Sequence, residues 1–176
     1  MPSFELLDII SVQNYRTELD QLYKDKLGSL RPAPEWLGNF KFYYGPPEKF
    51  APKIQELARY VWTFYGSTKP SANTLFFQVY PTGSEVLRHR DPINNLMETF
   101  IIPFGTWEGG ELEIEQGQEK IRLAPRFGQI IRLDCTKNFS NPLNEIGIET
   151  KRGPYHRMKP ITSGIRKALI LNYIKS

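Results

Sequence analysis

The chain has 176 residues, with 23 Lys and Arg against 19 Asp and Glu, one cysteine and two histidines. That length suits one domain with a real core. The lone Cys135 excludes an intrachain disulfide framework and a cysteine-built zinc site, and any imidazole-bound metal must use His89, His156 or both.

The first residues, Met-Pro-Ser-Phe-Glu-Leu-Leu-Asp, lack the basic start and apolar run of a targeting segment. No stretch reaches the roughly 18 consecutive apolar residues of a membrane-spanning helix. With the single thiol, this reads as an intracellular protein, cytoplasmic or nuclear, not a secreted or membrane one. Asn14 to Asp25 reads as a helix, with Tyr15, Leu19, Leu22 and Tyr23 near helical spacing. Arg31 to Pro47 is rich in Pro, Gly and aromatic residues and reads as irregular. Pro46 and Pro47 open a second helix, on which Phe50, Ile54, Leu57, Val61 and Phe64 form one apolar stripe and Gly66 is the stop. From Asn73 the pattern changes to strands: Thr74 to Tyr80, Val86 to Asp91, Thr99 to Phe104, Glu111 to Glu115, Lys120 to Leu123, Gln129 to Asp134 and Lys167 to Ile174. Turn residues separate them, at Pro81-Thr82-Gly83, Gly109-Gly110, Gly117 and Gly128. Many short strands with regular turns predict a sandwich or small barrel carrying helices, as one domain. Thr136 to Tyr155 has no clear periodicity and reads as a long loop, a lid or binding loop by its length.

His89-Arg90-Asp91 is the sharpest local feature. On a strand, residues i and i+2 share a face, so His89 and Asp91 present an imidazole and a carboxylate to one point. His156, the remaining histidine, completes a 2-His-1-carboxylate set of the kind that holds non-heme Fe(II) and leaves open positions. Taken alone, an H-x-D pair is more often an ion pair or a satisfied core histidine. Arg166 follows His156 by about ten residues, at the head of a largely apolar closing strand on which Arg166, Ala168, Ile170 and Asn172 share a face. A buried arginine needs an anion, and its planar fork suits a carboxylate; a protein Asp or Glu is the plainer partner. Gln78 and Tyr80 share a face of the strand before His89, where a phenol can reach that carboxylate.

Together these residues resemble the Fe(II)/2-oxoglutarate-dependent dioxygenase superfamily. The resemblance runs from about Asn73 to Lys175: H-x-D at His89 and Asp91, a distant His156, then Arg166, with Gly109-Gly110-Glu111-Leu112 after Trp107. It implies a mainly β chain with flanking helices, an α+β arrangement. Residues 71–176 would form a double-stranded β-helix (jelly roll) catalytic core, and 1–70 a helical support region within a single 1–176 domain. It implies Fe(II) held by His89, Asp91 and His156, and 2-oxoglutarate and O2 as cosubstrates with ascorbate in support. Arg166 would hold the distal carboxylate. Relatives carry Ser or Thr two residues after the arginine; Ala168 stands there, which shifts that role to Tyr80 or Asn172, beside Gln78. The implied reaction is hydroxylation of a substrate C–H bond coupled to oxidative decarboxylation of 2-oxoglutarate.

Within the superfamily, the sequence looks most like the TET/JBP branch. Asn94 follows the H-x-D, and Pro160-Ile161-Thr162-Ser163-Gly164-Ile165-Arg166 fits that branch's closing pattern. This implies oxidation of the 5-methyl group of thymine or 5-methylcytosine in nucleic acid. Arg90, Asn94 and Trp107 are then substrate candidates, and Lys151, Arg152, Arg157 and Lys159 candidates for phosphates. The net charge of +4 permits such a partner without demanding one. The alternatives are a prolyl or peptidyl hydroxylase acting on protein, a small-molecule hydroxylase, an alkylated-base repair enzyme, and a non-catalytic jelly-roll binding module.

Overall fold

A computed structural model describes residues 4–8, 10–66, 71–91, 96–135 and 152–175. Two antiparallel sheets face each other. The larger has the order β1-β9-β6-β11-β4-β3-β2 and the smaller the order β5-β10-β7-β8. Their ranges are β1 Phe4–Asp8, β2 Arg31–Pro32, β3 Lys41–Gly45, β4 Thr74–Pro81, β5 Val86–Asp91 and β6 Leu96–Gly109, then β7 Leu112–Gln116, β8 Glu119–Leu123, β9 Gln129–Asp134, β10 Arg152–Met158 and β11 Ile161–Ile174. Two helices, α1 Arg16–Lys26 and α2 Pro52–Tyr65, complete the chain's main elements. This is the jelly roll with supporting helices that the resemblance implies.

Strand alternation sorts the large sheet into two faces. Leu75, Phe77, Val79, Phe100, Ile102, Leu169 and Leu171 point one way and bury against Leu19 and Leu22 of α1 and Ile54, Leu57 and Val61 of α2. Tyr80, Ile101, Ala168, Ile131 and Leu133 point the other way, toward Leu112, Ile114 and Met158 of the small sheet. Helices and small sheet thus cover opposite faces of one central layer, and the inter-sheet side is left to build a site.

The helices begin later than the periodicity predicts. A 3-10 segment occupies Ile10–Tyr15, and α1 starts at Arg16. Pro47 starts only a 3-10 turn, Pro47–Lys49, because Phe50 and Ala51 turn extended ahead of Pro52, which opens α2. Phe64, assigned to the apolar stripe, is 66% exposed, and the buried face passes through Ala58 and Trp62 instead. Trp62 meets Phe100 edge-on, with ring centroids 5.2 Å apart. Gly66 does end α2, its N–H donating to the Trp62 carbonyl.

Residues 1–70 are not only helical. β1, β2 and β3 join the large sheet, so Arg31 to Pro47 is not the irregular stretch expected. β3 escapes the alternation test because both of its faces are aromatic: Tyr43 packs on Phe50 on the helix side, and Phe42 on Phe76 on the other. β6 and β11 are also longer than predicted and pair from Ile161↔Gly109 to Ile174↔Leu96. Gly105 and Gly164 let them run past the predicted strand ends at Phe104 and Lys167. Both have positive φ, and an added Cβ would meet the Ile165 carbonyl oxygen at 2.7 Å and the Thr106 carbonyl oxygen at 2.2 Å respectively. Within the stretch assigned to a long loop, 152–155 belong to β10, and 136–151 lie outside the described residues.

Glu98 and Arg132 form a buried ion pair between β6 and β9, with Arg132 Nε donating to Glu98 Oε2 at 2.7 Å. Removing one partner strands the other charge in the core. Arg132→Met should therefore lower unfolding free energy by about 3–5 kcal/mol in a denaturant titration. A change within about 0.5 kcal/mol, the size of an ordinary surface substitution, would show that the pair is not buried in solution.

Candidate active site

His89 and Asp91 lie on β5, two residues apart and therefore on one face. β10 runs beside β5 and sets His156 directly across from His89, so the two imidazole centroids are 4.3 Å apart. Asp91 Oδ1 stands 3.5 Å from His89 Nε2 and 3.8 Å from His156 Nε2. One ligand atom from each residue lies within 4.8 Å of the other two.

Both imidazoles are held in the tautomer a metal requires. His89 Nδ1 is 2.8 Å from the Leu87 carbonyl, and His156 Nδ1 is 2.9 Å from the Pro154 carbonyl. A carbonyl oxygen only accepts, so each Nδ1 carries the proton and each Nε2 presents its lone pair to the common point. Burial lowers the His156 pKa, and the neighbouring His89 lowers it further, against the opposing pull of Asp91 and the Pro154 carbonyl. Burial pushes the Asp91 carboxyl up, but the positive charge that His156 and His89 carry when protonated outweighs it and holds the group below its ordinary value. The site thus favours the neutral imidazole at His156 and the ionised carboxylate at Asp91, the forms that ligate. Two nitrogens and one carboxylate oxygen on one side of a point fit non-heme Fe(II).

These groups line a cavity of about 250 Å³ between the sheets. Across it lies Arg166 on β11, paired in register with Tyr80 on β4 and Gly105 on β6. Arg166 is 4% exposed. Its Nη1 donates to the Met158 thioether at 3.3 Å, a weak acceptor. Its guanidinium carbon lies 5.1 Å from the Tyr80 ring centroid and 5.9 Å from that of Trp107. Nε is buried without a hydrogen-bond partner, and among the described residues no carboxylate forms an ion pair with Arg166. Burial lowers its pKa, partly offset by Tyr80. A buried guanidinium lacking an anion inside a cavity fits a carboxylate-bearing ligand.

Tyr80 is pushed up to about 12 by burial, against the pull of Arg166. Its hydroxyl donates to Gln78 Oε1. Thr99 donates to Asn172 Oδ1, and all four residues line the cavity. A phenol with that pKa stays protonated at every pH the protein meets. Tyr80→Phe should therefore weaken binding of the cavity's carboxylate ligand by about three- to tenfold, the worth of one hydrogen bond. The loss should be equal at pH 7 and pH 9 by calorimetric titration; one that grows with pH would mean that Tyr80 ionises.

The structure brings together His89, Asp91, His156, Arg166, Tyr80, Gln78 and Asn172. It does not bring in Arg90, which alternation turns away from the metal face: it is buried, donates from Nε to the Gly153 carbonyl, and cannot meet substrate. Trp107 stands over Arg166 but does not line the cavity. Asn94 and Lys151 lie outside the described residues. Arg157 is tied to Glu113 at 3.1 Å and Lys159 to Glu111 at 3.4 Å, so neither is a free phosphate contact. Met158 went unassigned in the sequence, although its place two residues after His156 is the available signal.

No family model and no curated protein matches the chain. Solved structures do. A prolyl-4-hydroxylase from Pseudomonas putida superposes with a TM-score of 0.70 at 14% identity, over 99% of this chain and 94% of its own. A prolyl hydroxylase from Trichoplax adhaerens, in complex with a hypoxia inducible factor oxygen degradation domain peptide fragment, gives 0.72 at 14% identity, over 98% and 84%. The viral collagen prolyl hydroxylase of Paramecium Bursaria Chlorella virus-1, as its 2-oxoglutarate complex, gives 0.60 at 16% identity, over 98% and 97%. The chain has the fold of the 2-oxoglutarate and Fe(II) oxygenases. None of these three is described as acting on nucleic acid, so the TET/JBP resemblance gains nothing from them.

Proposed function

We propose that this protein is an Fe(II)- and 2-oxoglutarate-dependent dioxygenase that hydroxylates a C–H bond of a peptide, with a prolyl residue as its target. The observation that carries the enzyme class is the His89–Asp91–His156 set facing a buried Arg166 that lacks a carboxylate. The peptide assignment is supported by the company of prolyl hydroxylases among the fold neighbours and by the apolar and aromatic side chains, Trp36, Leu37, Phe40, Phe42 and Phe76 among them, that line much of the cavity.

His89 and His156 would hold the metal through Nε2 and Asp91 through Oδ1, each imidazole kept in orientation by its backbone carbonyl. Arg166 would hold the distal carboxylate of 2-oxoglutarate, and Tyr80 would turn its one O–H from Gln78 to donate a second hydrogen bond to it. When bound, Fe(II) with 2-oxoglutarate and O2 supplies the oxidising power for hydroxylation, and the cosubstrate leaves as succinate and CO2. Val86, Ile101, Leu112 and Ile170 wall the cavity and keep water from the reacting centre.

The nucleobase reading rests on sequence pattern: Asn94 after the H-x-D, Gly109-Gly110-Glu111-Leu112 and the closing Pro160-to-Arg166 run. One experiment separates the two. The protein is incubated with Fe(II), 2-oxoglutarate, ascorbate and either proline-containing peptides or methylated DNA, and products are weighed by mass spectrometry. The expected result is one added oxygen on peptide proline, matched by succinate. Oxidised bases with untouched peptide would overturn the proposal.

A further inference from the structure

An aromatic ledge leads out of the cavity along the large sheet. Phe76 on β4 is the register partner of Tyr44 on β3, and Phe42 lies two residues from Tyr44 on the same face. The three rings stack: Tyr44 on Phe76 at 5.2 Å and 18°, Phe42 on Tyr44 at 6.0 Å and 19°, Phe42 on Phe76 at 6.3 Å and 26°. Trp36, on the connection between β2 and β3, lines the same mouth. Tyr44 is 60% exposed and Trp36 52%, large areas of ring facing solvent for residues outside any core. Inward, the aromatic wall continues through Phe40, whose ring is 4.9 Å from that of Tyr80.

We infer that this ledge docks a second proline of an extended, proline-rich peptide whose target proline sits at the metal centre. The inference rests on the peptide reading of the site and adds where the rest of the substrate lies. Three observations select the occupant. The rings stack nearly parallel, and none of the three is turned to close the enclosing cage that a quaternary ammonium needs. Among the described residues the nearby cations are scattered, Arg31 opposite Phe42, Arg166 deep in the cavity and Arg157 paired with Glu113, whereas a nucleic-acid strand needs a row of them along its phosphates. The surface is a sheet face, which offers no backbone groups to pair with. A polyproline II segment needs none, since it has no internal hydrogen bonds and presents rings to aromatic grooves.

The geometry sets a spacing. Phe76 to Tyr80 is roughly 13 Å along a strand. A polyproline II helix rises about 3.1 Å per residue, so about four residues span the length of wall between the ledge and Tyr80, and the test uses that separation.

The test compares two peptides with the iron- and 2-oxoglutarate-loaded protein: one with a single proline, one with a second proline four residues away. The two-proline peptide should show a KM about tenfold lower at similar kcat, and Tyr44→Ser should erase that difference. Hydroxylation of both peptides with equal KM by the wild-type protein would overturn the ledge while leaving the proposed function standing. If neither peptide is hydroxylated, the proposed function fails. The ledge is then judged by fluorescence anisotropy of the labelled two-proline peptide on the same protein, where binding weakened about tenfold by Tyr44→Ser supports it and no binding ends it. Tyr44-dependent binding of a labelled single-stranded oligonucleotide in place of the peptide would also overturn it.

Discussion

Asp91→Ala should abolish the binding of one Fe(II) per chain, and His156→Ala should do the same. Asp91 Oδ1 lies within 4 Å of both Nε2 atoms, so it is the anion that lets two neutral imidazoles share a dication. Removing it leaves two nitrogen donors and no charge to balance the metal. The loss should exceed the ten- to hundredfold, roughly, that outlying partners of metal ligands are worth. The measurement is an anaerobic titration against a competing chelator, with circular dichroism to check that each variant is folded. Unchanged iron affinity in folded Asp91→Ala would remove the metal centre and the function built on it.

Arg166→Ala should weaken 2-oxoglutarate binding by about 2–5 kcal/mol while iron affinity stays near that of the wild type. The reason is geometric. Arg166 stands across the cavity from the triad, and its described polar neighbours offer a thioether and aromatic faces, not a carboxylate. A dicarboxylate would supply the missing anion. Arg166→Lys should restore only part of the affinity, because an ammonium keeps the charge and loses the planar fork. Calorimetry of 2-oxoglutarate into iron-loaded protein without oxygen reads both variants. Equal affinity for wild type and Arg166→Ala would take the cosubstrate away from Arg166.

Much of this centre was legible before any coordinates. His89 and Asp91 follow from the two-residue period of a strand, and His156 from there being no other histidine. Arg166 follows from the cost of burying a guanidinium. What was not legible has physical reasons. β10 carries Gly153, Pro154 and a bulged register against β5, so its alternation is broken where His156 sits. β3 has aromatic residues on both faces, so it shows no polar-apolar alternation. Arg90 reads as a substrate contact because a charge beside a metal motif suggests one. Its neighbours on β10 bury it instead, a matter of packing between distant segments that local pattern does not report. Phe64 continues a helical stripe in projection, yet it is exposed, and Trp62 takes the place against the sheet by packing on Phe100 and Tyr173.

The placement of β11 has a consequence for how the molecule comes together. It is the fourth strand of seven in the large sheet, flanked by β4 and β6, and it is the last of the described strands along the chain. Until it is made, β4 and β6 have no common neighbour, the helices have only part of the surface they cover, and the pocket lacks Arg166. Assembly of the large sheet therefore waits for β11 and depends on pairings between remote segments, which favours slow folding. During synthesis, the edges of β4 and β6 stay open as templates for wrong partners, so the strand that completes the active site is also the one that protects the nascent sheet from aggregation.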